Sequence, residues 1–222
     1  PMMWQAVFLS LQVSAVATIC ALPLAIWVAH VLVRKQFRGH GLLNGLVHLP
    51  LVLPPVVTGY LLLIVFGKQG AVGGFLYDWF GITLAFRWTG AALAAAIMGF
   101  PLMVRAIRLG FEAVDAGLED AARTLGASRA RVFGTVTLPL VMPAILAGAV
   151  LGFAKALGEF GATITFVAAI PGQTQTIPSA IYGLLQVPNQ ESDVIVLVSI
   201  SVALAMGALV ASEWLARRMV AR

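Results

Sequence analysis

The chain has 222 residues, of which 60% are hydrophobic and only 10% are charged, and its formal net charge is +5. Ordinary soluble domains carry about 25% charged residues, so this composition, with a mean hydropathy of +0.97, excludes a soluble protein and predicts an integral membrane protein. The basic residues lie at the ends of apolar segments rather than in one patch, which argues against a nucleic-acid partner. The single cysteine, Cys20, excludes an intrachain disulfide. No Cys/His spacing predicts a metal site.

Five apolar segments are long enough to cross a bilayer, which requires about 20 residues. Clusters of Lys and Arg follow the first, third and fifth segments. The positive-inside rule places these clusters in the cytoplasm, which predicts a single all-α membrane domain with its N-terminus outside and its C-terminus inside. The first segment precedes its positive charges, so it is expected to be a retained span rather than a cleaved signal peptide. The predicted spans are 5–33, 46–66, 89–107, 140–158 and 194–214, with a sixth crossing if residues 160–185 traverse the membrane.

The second predicted span is interrupted by Pro54, Pro55 and Gly59, within the stretch Leu-Pro-Leu-Val-Leu-Pro-Pro-Val-Val-Thr-Gly-Tyr at 49–60. Such breaks are tolerated in a membrane where the freed backbone faces protein or a water-filled cavity, and transporters place their substrate path at broken spans. A translocation path and a simple kink both explain the pattern. Residues 67–88 mix aromatic and charged side chains, which predicts an external interfacial segment.

The longest polar interval covers residues 108–139. Apolar side chains recur every three or four residues from Phe111 to Leu125, which predicts an amphipathic helix. Gly126 is expected to end that helix, Ser128 to cap a second short helix, and Pro139 to close the second one. Several arginines place the interval in the cytoplasm. A plain solvated loop is the alternative interpretation.

The fourth span carries small residues at four-residue spacing, at Ala144, Gly148, Gly152 and Ala156. This pattern allows close approach of another helix, either in a dimer or in the same chain. Lys155 and Glu159 follow one turn apart. Because charges in a membrane are costly, they predict an intramembrane ion pair, with a substrate ligand as the alternative.

Residues 160–190 are apolar at the centre but broken by glycine and proline, which predicts a short or re-entrant helix at the external face. Its hydroxyl groups suit hydrogen bonding to an anion, but a plain outer loop rich in turn residues is the alternative that the composition alone favours. The candidate translocation path or gate therefore comprises six residues of the two broken stretches: Pro54, Pro55, Gly59, Glu159, Gly161 and Thr163.

The polar interval also resembles a known signature. An acidic residue, Ala-Ala, three residues, Gly126, nine residues, Val136, one residue and Leu138-Pro139 match the EAA signature of ATP-binding-cassette (ABC) importer permeases. Asp120 stands where Glu is usual, and Val136 stands where Ile is usual. Residues 49–60, Gly-Glu-Phe-Gly-Ala at 158–162 and Thr-Gln-Thr-Ile-Pro at 174–178 occur in the same order. Together these stretches resemble the permease subunits of bacterial molybdate importers, kin of the sulfate/thiosulfate permeases.

The resemblance implies a type I ABC importer domain in the bacterial inner membrane, contacting lipid and transporting molybdate together with tungstate. It implies a homodimer that works with two cytoplasmic ATP-binding subunits and an external substrate-binding protein. ATP and Mg²⁺ are expected on the partner ATPase, because this chain has no phosphate-binding loop and is expected to have no catalytic residues or cofactor. Residues 111–125 are expected to form the docking face. The implied ATPase-coupling residues are Glu119, Asp120, Ala121, Ala122, Arg123, Gly126, Arg129, Leu138 and Pro139.

Two other classes compete with this interpretation. A sulfate or thiosulfate permease would share the same architecture. An ion-coupled secondary transporter would show paired repeats and intramembrane acids. The chain has no internal repeat, and Glu159 is its one candidate for such an acid.

Overall fold

The computed structural model describes residues 2–220, and every regular element in that range is a helix. The all-α prediction is therefore confirmed. In chain order the helices are α1 (Met2–Arg34), α2 (His40–Val52), α3 (Pro55–Phe66), α4 (Ala71–Phe80), α5 (Trp88–Glu112), α6 (Ala116–Thr124), α7 (Arg129–Val132), a π-helical turn (Phe133–Thr137), α8 (Leu138–Leu157), α9 (Gly161–Val167), α10 (Ile177–Leu184) and α11 (Glu191–Val220).

Within residues 2–220, four helical stretches are long and apolar enough to cross a membrane: Met3–Arg34, Trp88–Glu112, Arg129–Leu157 and Glu191–Trp214. Helices α2 and α3 form a bent pair that gives a fifth crossing if it counts as one span. Helices α9 and α10 have 7 and 8 residues, so each reaches only about 10–12 Å, well short of a hydrocarbon core of about 30 Å. Neither can cross alone, and the sixth crossing has no helix of its own. Of the C-terminal arginines used to orient the chain, Arg222 lies outside the described residues.

The second predicted span differs from expectation. It begins at His40, six residues before the predicted start, and it consists of two helices inclined at 116°. The break is at Leu53 and Pro54, whose backbone is extended. The cause is local: Pro54 and Pro55 have no N–H to continue the α2 ladder, whereas Pro55 fits the first turn of α3, where an N–H has no intrahelical partner.

Helix α5 lies at the centre of the bundle and packs closely against α8. A Cβ atom added at Gly152 would lie 2.6 Å from the Met103 side chain, and one added at Gly99 would lie 3.1 Å from the carbonyl oxygen of Gly152. A Cβ at Gly148 would lie 3.1 Å from the Met103 carbonyl oxygen. The small residues of the fourth span therefore serve this close approach of two helices in the same chain.

The prediction that Pro139 closes a short helix is wrong. Apolar helix continues from Arg129 to Leu157, and Pro139 lies in the first turn of α8. The π-helical turn immediately precedes it, and the Leu138 N–H bonds to the Phe133 carbonyl five residues back. Such a π-helical turn next to a proline is one of the local adjustments by which a membrane helix accommodates the ring and continues.

Candidate coupling segment and intramembrane junction

The coupling segment, defined here as Asp115–Val132, contains two short helices whose ends follow from local chemistry. The Asp115 carboxylate accepts a hydrogen bond at 2.8 Å from the second residue of α6. Gly126 has φ of +85°, the left-handed conformation that glycine adopts without strain. The Ala127 N–H reaches back to the Ala122 carbonyl at 3.1 Å, as in a Schellman motif. The Ser128 hydroxyl caps α7, so the predicted helix end and cap are both present.

Helix α6 exposes an apolar face. Leu118 is 50% exposed and Leu125, immediately after the helix, is 89% exposed, while Ala121 between them is also exposed. These residues are three and four apart, so they share one side of the helix. An exposed apolar face on a short surface helix is typical of a surface that binds another protein.

Phe111 does not belong to this face, contrary to the sequence-based docking range of 111–125. Helix α5 extends through Glu112, and the Phe111 side chain is fully buried. Its ring centroid lies 5.2 Å from that of His30 and 6.4 Å from that of Phe133. Phe111 packs in the core where α1, α5 and the π-helical turn meet. Its seven-residue spacing from Leu118 therefore does not place the two side chains on one exposed face.

Most other predicted coupling residues lie at the surface. Asp120 is exposed and accepts a hydrogen bond from Arg123 at 3.1 Å. Arg129 is exposed and lines an open cavity of about 620 Å³ beside α6. Ala122 and Leu138 are half-buried, and Pro139 is exposed.

Glu119 is the exception, because it is 7% exposed and points away from the apolar face. Its Oε1 accepts hydrogen bonds from Arg34 Nη2 at 2.9 Å and from Thr137 Oγ1 at 2.7 Å. Its Oε2 lies 3.9 Å from Arg123 Nη2. One carboxylate of the coupling segment is thus bonded to the end of α1 and to the last residue of the π-helical turn.

The predicted path residues meet at a second site, where α3 packs on α9. A Cβ atom added at Gly59 would lie 2.5 Å from the Ala162 carbonyl oxygen, and one at Gly161 would lie 2.6 Å from Cβ of Pro55. Both glycines are therefore required by close approach of the two broken stretches. The structure brings Pro55, Gly59 and Gly161 together although about 100 residues separate the two stretches.

Hydroxyl groups at this junction are buried. Thr163 is 4% exposed and donates a hydrogen bond to the Phe160 carbonyl at 2.9 Å. Thr58, one residue before Gly59, is 6% exposed, and its hydroxyl has no hydrogen-bond partner among the described residues. Pro54 provides the extended residue before α3.

The carboxylate of Glu159 is 2% exposed and bonded through both oxygens. Oε2 lies 3.3 Å from Lys155 Nζ, and Oε1 accepts from the Ala162 N–H at 2.9 Å. The side chain therefore joins the end of α8 to the start of α9. Because both oxygens are engaged and the group is anionic, this arrangement favours a structural pair over a ligand for an anionic substrate.

Sequence reasoning did not identify Arg34 or Thr137 as site residues. Arg34 is part of the basic cluster after the first span, and in the sequence this cluster indicates only the orientation of that span in the membrane. Thr137 is the unspecified residue between Val136 and Leu138 in the signature. Their shared contact with Glu119 joins positions 85 and 18 residues apart, and no local pattern reports such distances.

The family described as "Binding-protein-dependent transport system inner membrane component" matches residues 21–221. The chain belongs to this family. It is accordingly a multi-pass protein of the inner membrane.

Two relatives and one solved structure are similar to this chain over most of its length. The chain is 63% identical, over 96% of its length and 93% of the relative, to the Molybdenum transport system permease protein ModB of Escherichia coli K12. It is 55% identical, over the same shares, to the protein of the same name from Haemophilus influenzae. A bacterial ABC transporter that imports alginate aligns with a TM-score of 0.73 at 18% identity, covering 98% of this chain and 80% of that one. The fold is that of a type I ABC importer permease.

Proposed function

We propose that this chain is the membrane-spanning subunit of an ATP-driven importer that carries molybdate into the cell. The observation that carries this proposal is the 63% identity, along 96% of the chain, to a relative whose name states molybdenum transport. Tungstate is expected to share the path, because the two tetrahedral dianions are nearly equal in size and equal in charge.

The proposed partners follow from the family and from the coupling segment. A second copy of the chain completes the membrane path, two cytoplasmic ATPase subunits bind ATP and Mg²⁺, and an external protein delivers the anion. The apolar face of Leu118, Ala121 and Leu125 supports docking to the ATPase, since exposed apolar side chains gain free energy when a partner buries them. This arrangement requires the N-terminus outside and the C-terminus inside.

The helical connectivity supports a mechanical role for the coupling segment. Closure of the ATPase pair on ATP would move α6, and the helix that begins at Arg129 runs through the π-helical turn into α8 without a loop. Helix α8 in turn packs tightly on α5 through Gly148 and Gly152. Nucleotide bound to the partner thus biases the membrane helices between inward-facing and outward-facing arrangements.

The junction of α3 and α9 is the proposed gate region. Its backbones touch at Gly59 and Gly161, so any relative movement of the two broken stretches must open or close this contact. Thr163 and Thr58 supply hydroxyl groups there. Hydroxyl donors would stabilise a passing anion by hydrogen bonds without the tight retention that a full positive charge would give.

Reconstituted transport tests the proposal. The chain, its ATPase and its binding protein are placed in proteoliposomes, and molybdate uptake is measured with ATP on the ATPase side or with a proton or sodium gradient alone. We expect uptake only with ATP, inhibition by tungstate and weak inhibition by sulfate. Uptake driven by the gradient would favour a secondary transporter, and equal inhibition by sulfate would favour a sulfate permease.

A further inference from the structure

One residue of the coupling segment has a role that docking does not explain. Within α6, Ala116–Thr124, Glu119 is the only buried residue. The remainder of this nine-residue helix is exposed or half-buried. A helix this short is marginal by itself in water, so its position on the bundle depends strongly on the contacts that Glu119 makes.

Those contacts connect three separate elements. Arg34 is the last residue of α1, and its Nη2 donates to Glu119 Oε1 at 2.9 Å. Thr137 is the last residue of the π-helical turn, and its hydroxyl donates to the same oxygen at 2.7 Å. Thr137 is 2% exposed, and the Arg34 side chain is 26% exposed. The three side chains form one continuous link between α6, the cytoplasmic end of α1 and the base of α8.

We propose that the Arg34–Glu119–Thr137 link transmits the movement of α6 to α1 and α8, and that Glu119 is a positioning residue rather than an ATPase contact. The inference rests on the proposed function and deepens it. The α6 backbone is covalently connected to α5 and α7, but these connections are a turn at Ala113–Asp115 and a bend around Gly126. Turns transmit force poorly in comparison with a buried, charge-assisted contact that joins two transmembrane helices directly.

The π-helical turn supports this assignment. Its i→i+5 bonding is less regular than an α-helix, and such turns occur frequently at functional sites. Thr137 lies where this turn becomes the α-helix α8. A pull on Thr137 by Glu119 therefore acts at the π-helical turn of the helix that carries the movement into the membrane.

The test uses the complete complex in proteoliposomes and measures molybdate transported per ATP hydrolysed. Glu119→Gln and Arg34→Gln each remove one of the two charges of the link, while the side chains of the exposed docking face are unchanged. The matched control is Glu213→Gln, since Glu213 also pairs with an arginine, Arg217 at 2.6 Å, but is exposed and lies on α11, outside the coupling segment. We expect both link variants to assemble and hydrolyse ATP near the wild-type rate, with at least five-fold less molybdate per ATP. The control should keep the wild-type ratio.

A charge exchange gives a second readout that a merely structural role would not produce. Arg34→Glu combined with Glu119→Arg should recover most of the transport per ATP that each single reversal loses. Thr137→Val, which keeps both charges, should lower the molybdate transported per ATP by about two-fold to three-fold. If the charge variants fail to assemble, this variant alone tests whether the link carries movement.

Three outcomes would overturn the inference. A wild-type ratio in Glu119→Gln, or in Thr137→Val where the charge variants do not assemble, would show that the link carries no movement. Loss of ATPase binding in Glu119→Gln, with normal binding in Arg34→Gln, would show that Glu119 contacts the ATPase. A wild-type complex that hydrolyses ATP but moves no molybdate would contradict the proposed function, and the link with it. A wild-type complex that transports molybdate, with unchanged link variants, would contradict the link alone.

Discussion

The pair of Lys155 and Glu159 gives the sharpest prediction about stability. Glu159→Ala removes the carboxylate that lies 3.3 Å from Lys155 Nζ and the acceptor of the Ala162 N–H. Breaking a buried ion pair costs about 3–5 kcal/mol, but Lys155 is 32% exposed, and water will reach its ammonium group. We therefore expect a loss of roughly 2–4 kcal/mol in the free energy of unfolding.

This loss is measurable as a melting temperature. For a chain of this size about 1 kcal/mol corresponds to roughly 2–4 °C, so the purified Glu159→Ala protein in detergent should melt about 5–15 °C lower than the wild type. The proposed dimer should also assemble less completely in size-exclusion chromatography. Glu159→Gln keeps an acceptor for the Ala162 N–H, so its melting temperature should lie between those of the wild type and Glu159→Ala.

A matched exposed pair provides the control. Glu213 pairs with Arg217 at 2.6 Å with the same four-residue spacing, but both side chains are more than 60% exposed. Such surface pairs contribute about 0.3–0.5 kcal/mol, so Glu213→Ala should melt within about 2 °C of the wild type. Equal melting of Glu159→Ala, Glu213→Ala and the wild type would refute the argument that burial makes the first pair structural.

Three glycine and threonine variants test the two sites. Gly126→Val places a β-branched residue at φ of +85°, which costs about 1–3 kcal/mol locally; molybdate uptake per ATP should fall while membrane insertion is unchanged. Gly59→Val directs a side chain into the Ala162 carbonyl and should lower the melting temperature and abolish uptake, since overpacking costs about 1–3 kcal/mol. Thr58→Val removes a buried hydroxyl that has no partner among the described residues, so the protein should melt at the same or a higher temperature.

Each variant has a contradicting result. Gly126→Asn tolerates the left-handed conformation and serves as the control, so equal loss in both would point to the side chain rather than to backbone strain. Gly45→Ala is the control for Gly59, because no heavy atom lies within 4 Å of a Cβ added there; equal melting of Gly59→Val and Gly45→Ala would contradict the close approach of α3 and α9. A lower melting temperature in Thr58→Val would show that its hydroxyl is bonded.

The features that were predictable from sequence depend on local chemistry. Gly126 and Ser128 act as the expected helix end and cap, because a left-handed glycine and a capping hydroxyl satisfy backbone groups only a few residues away. The long apolar helices are equally local in origin. The error at Pro139 is local as well: a proline normally interrupts an α-helix, but the π-helical turn before it accommodates the ring.

The features that were not predictable depend on tertiary contact. The periodicity from Phe111 to Leu125 combined a buried core residue of α5 with the exposed face of α6. Hydrophobic spacing cannot distinguish a side chain that is buried in the core from one that is exposed on a surface that binds another protein. Glu119 was expected to face the ATPase with its neighbours, and its inward direction depends on Arg34, 85 residues away in sequence.

The α3–α9 junction lies between these cases. Pro55, Gly59 and Gly161 were selected because prolines and glycines break membrane helices, and the structure places them at one contact. The sequence predicted that these residues break membrane helices, but not that they contact one another. The steric need for glycine at two facing backbones is visible only once both helices are placed.

Site-specific photo-crosslinking tests the central claim, that the coupling segment docks on the ATPase from the cytoplasm. A photoreactive amino acid is introduced at Leu125, which is 89% exposed, and as the matched control at Trp79, which is 75% exposed on the segment expected to lie outside. After irradiation of membranes containing the whole importer, we expect an ATPase adduct from Leu125 and none from Trp79. An adduct from Trp79, or none from Leu125 in an assembled complex, would contradict the account.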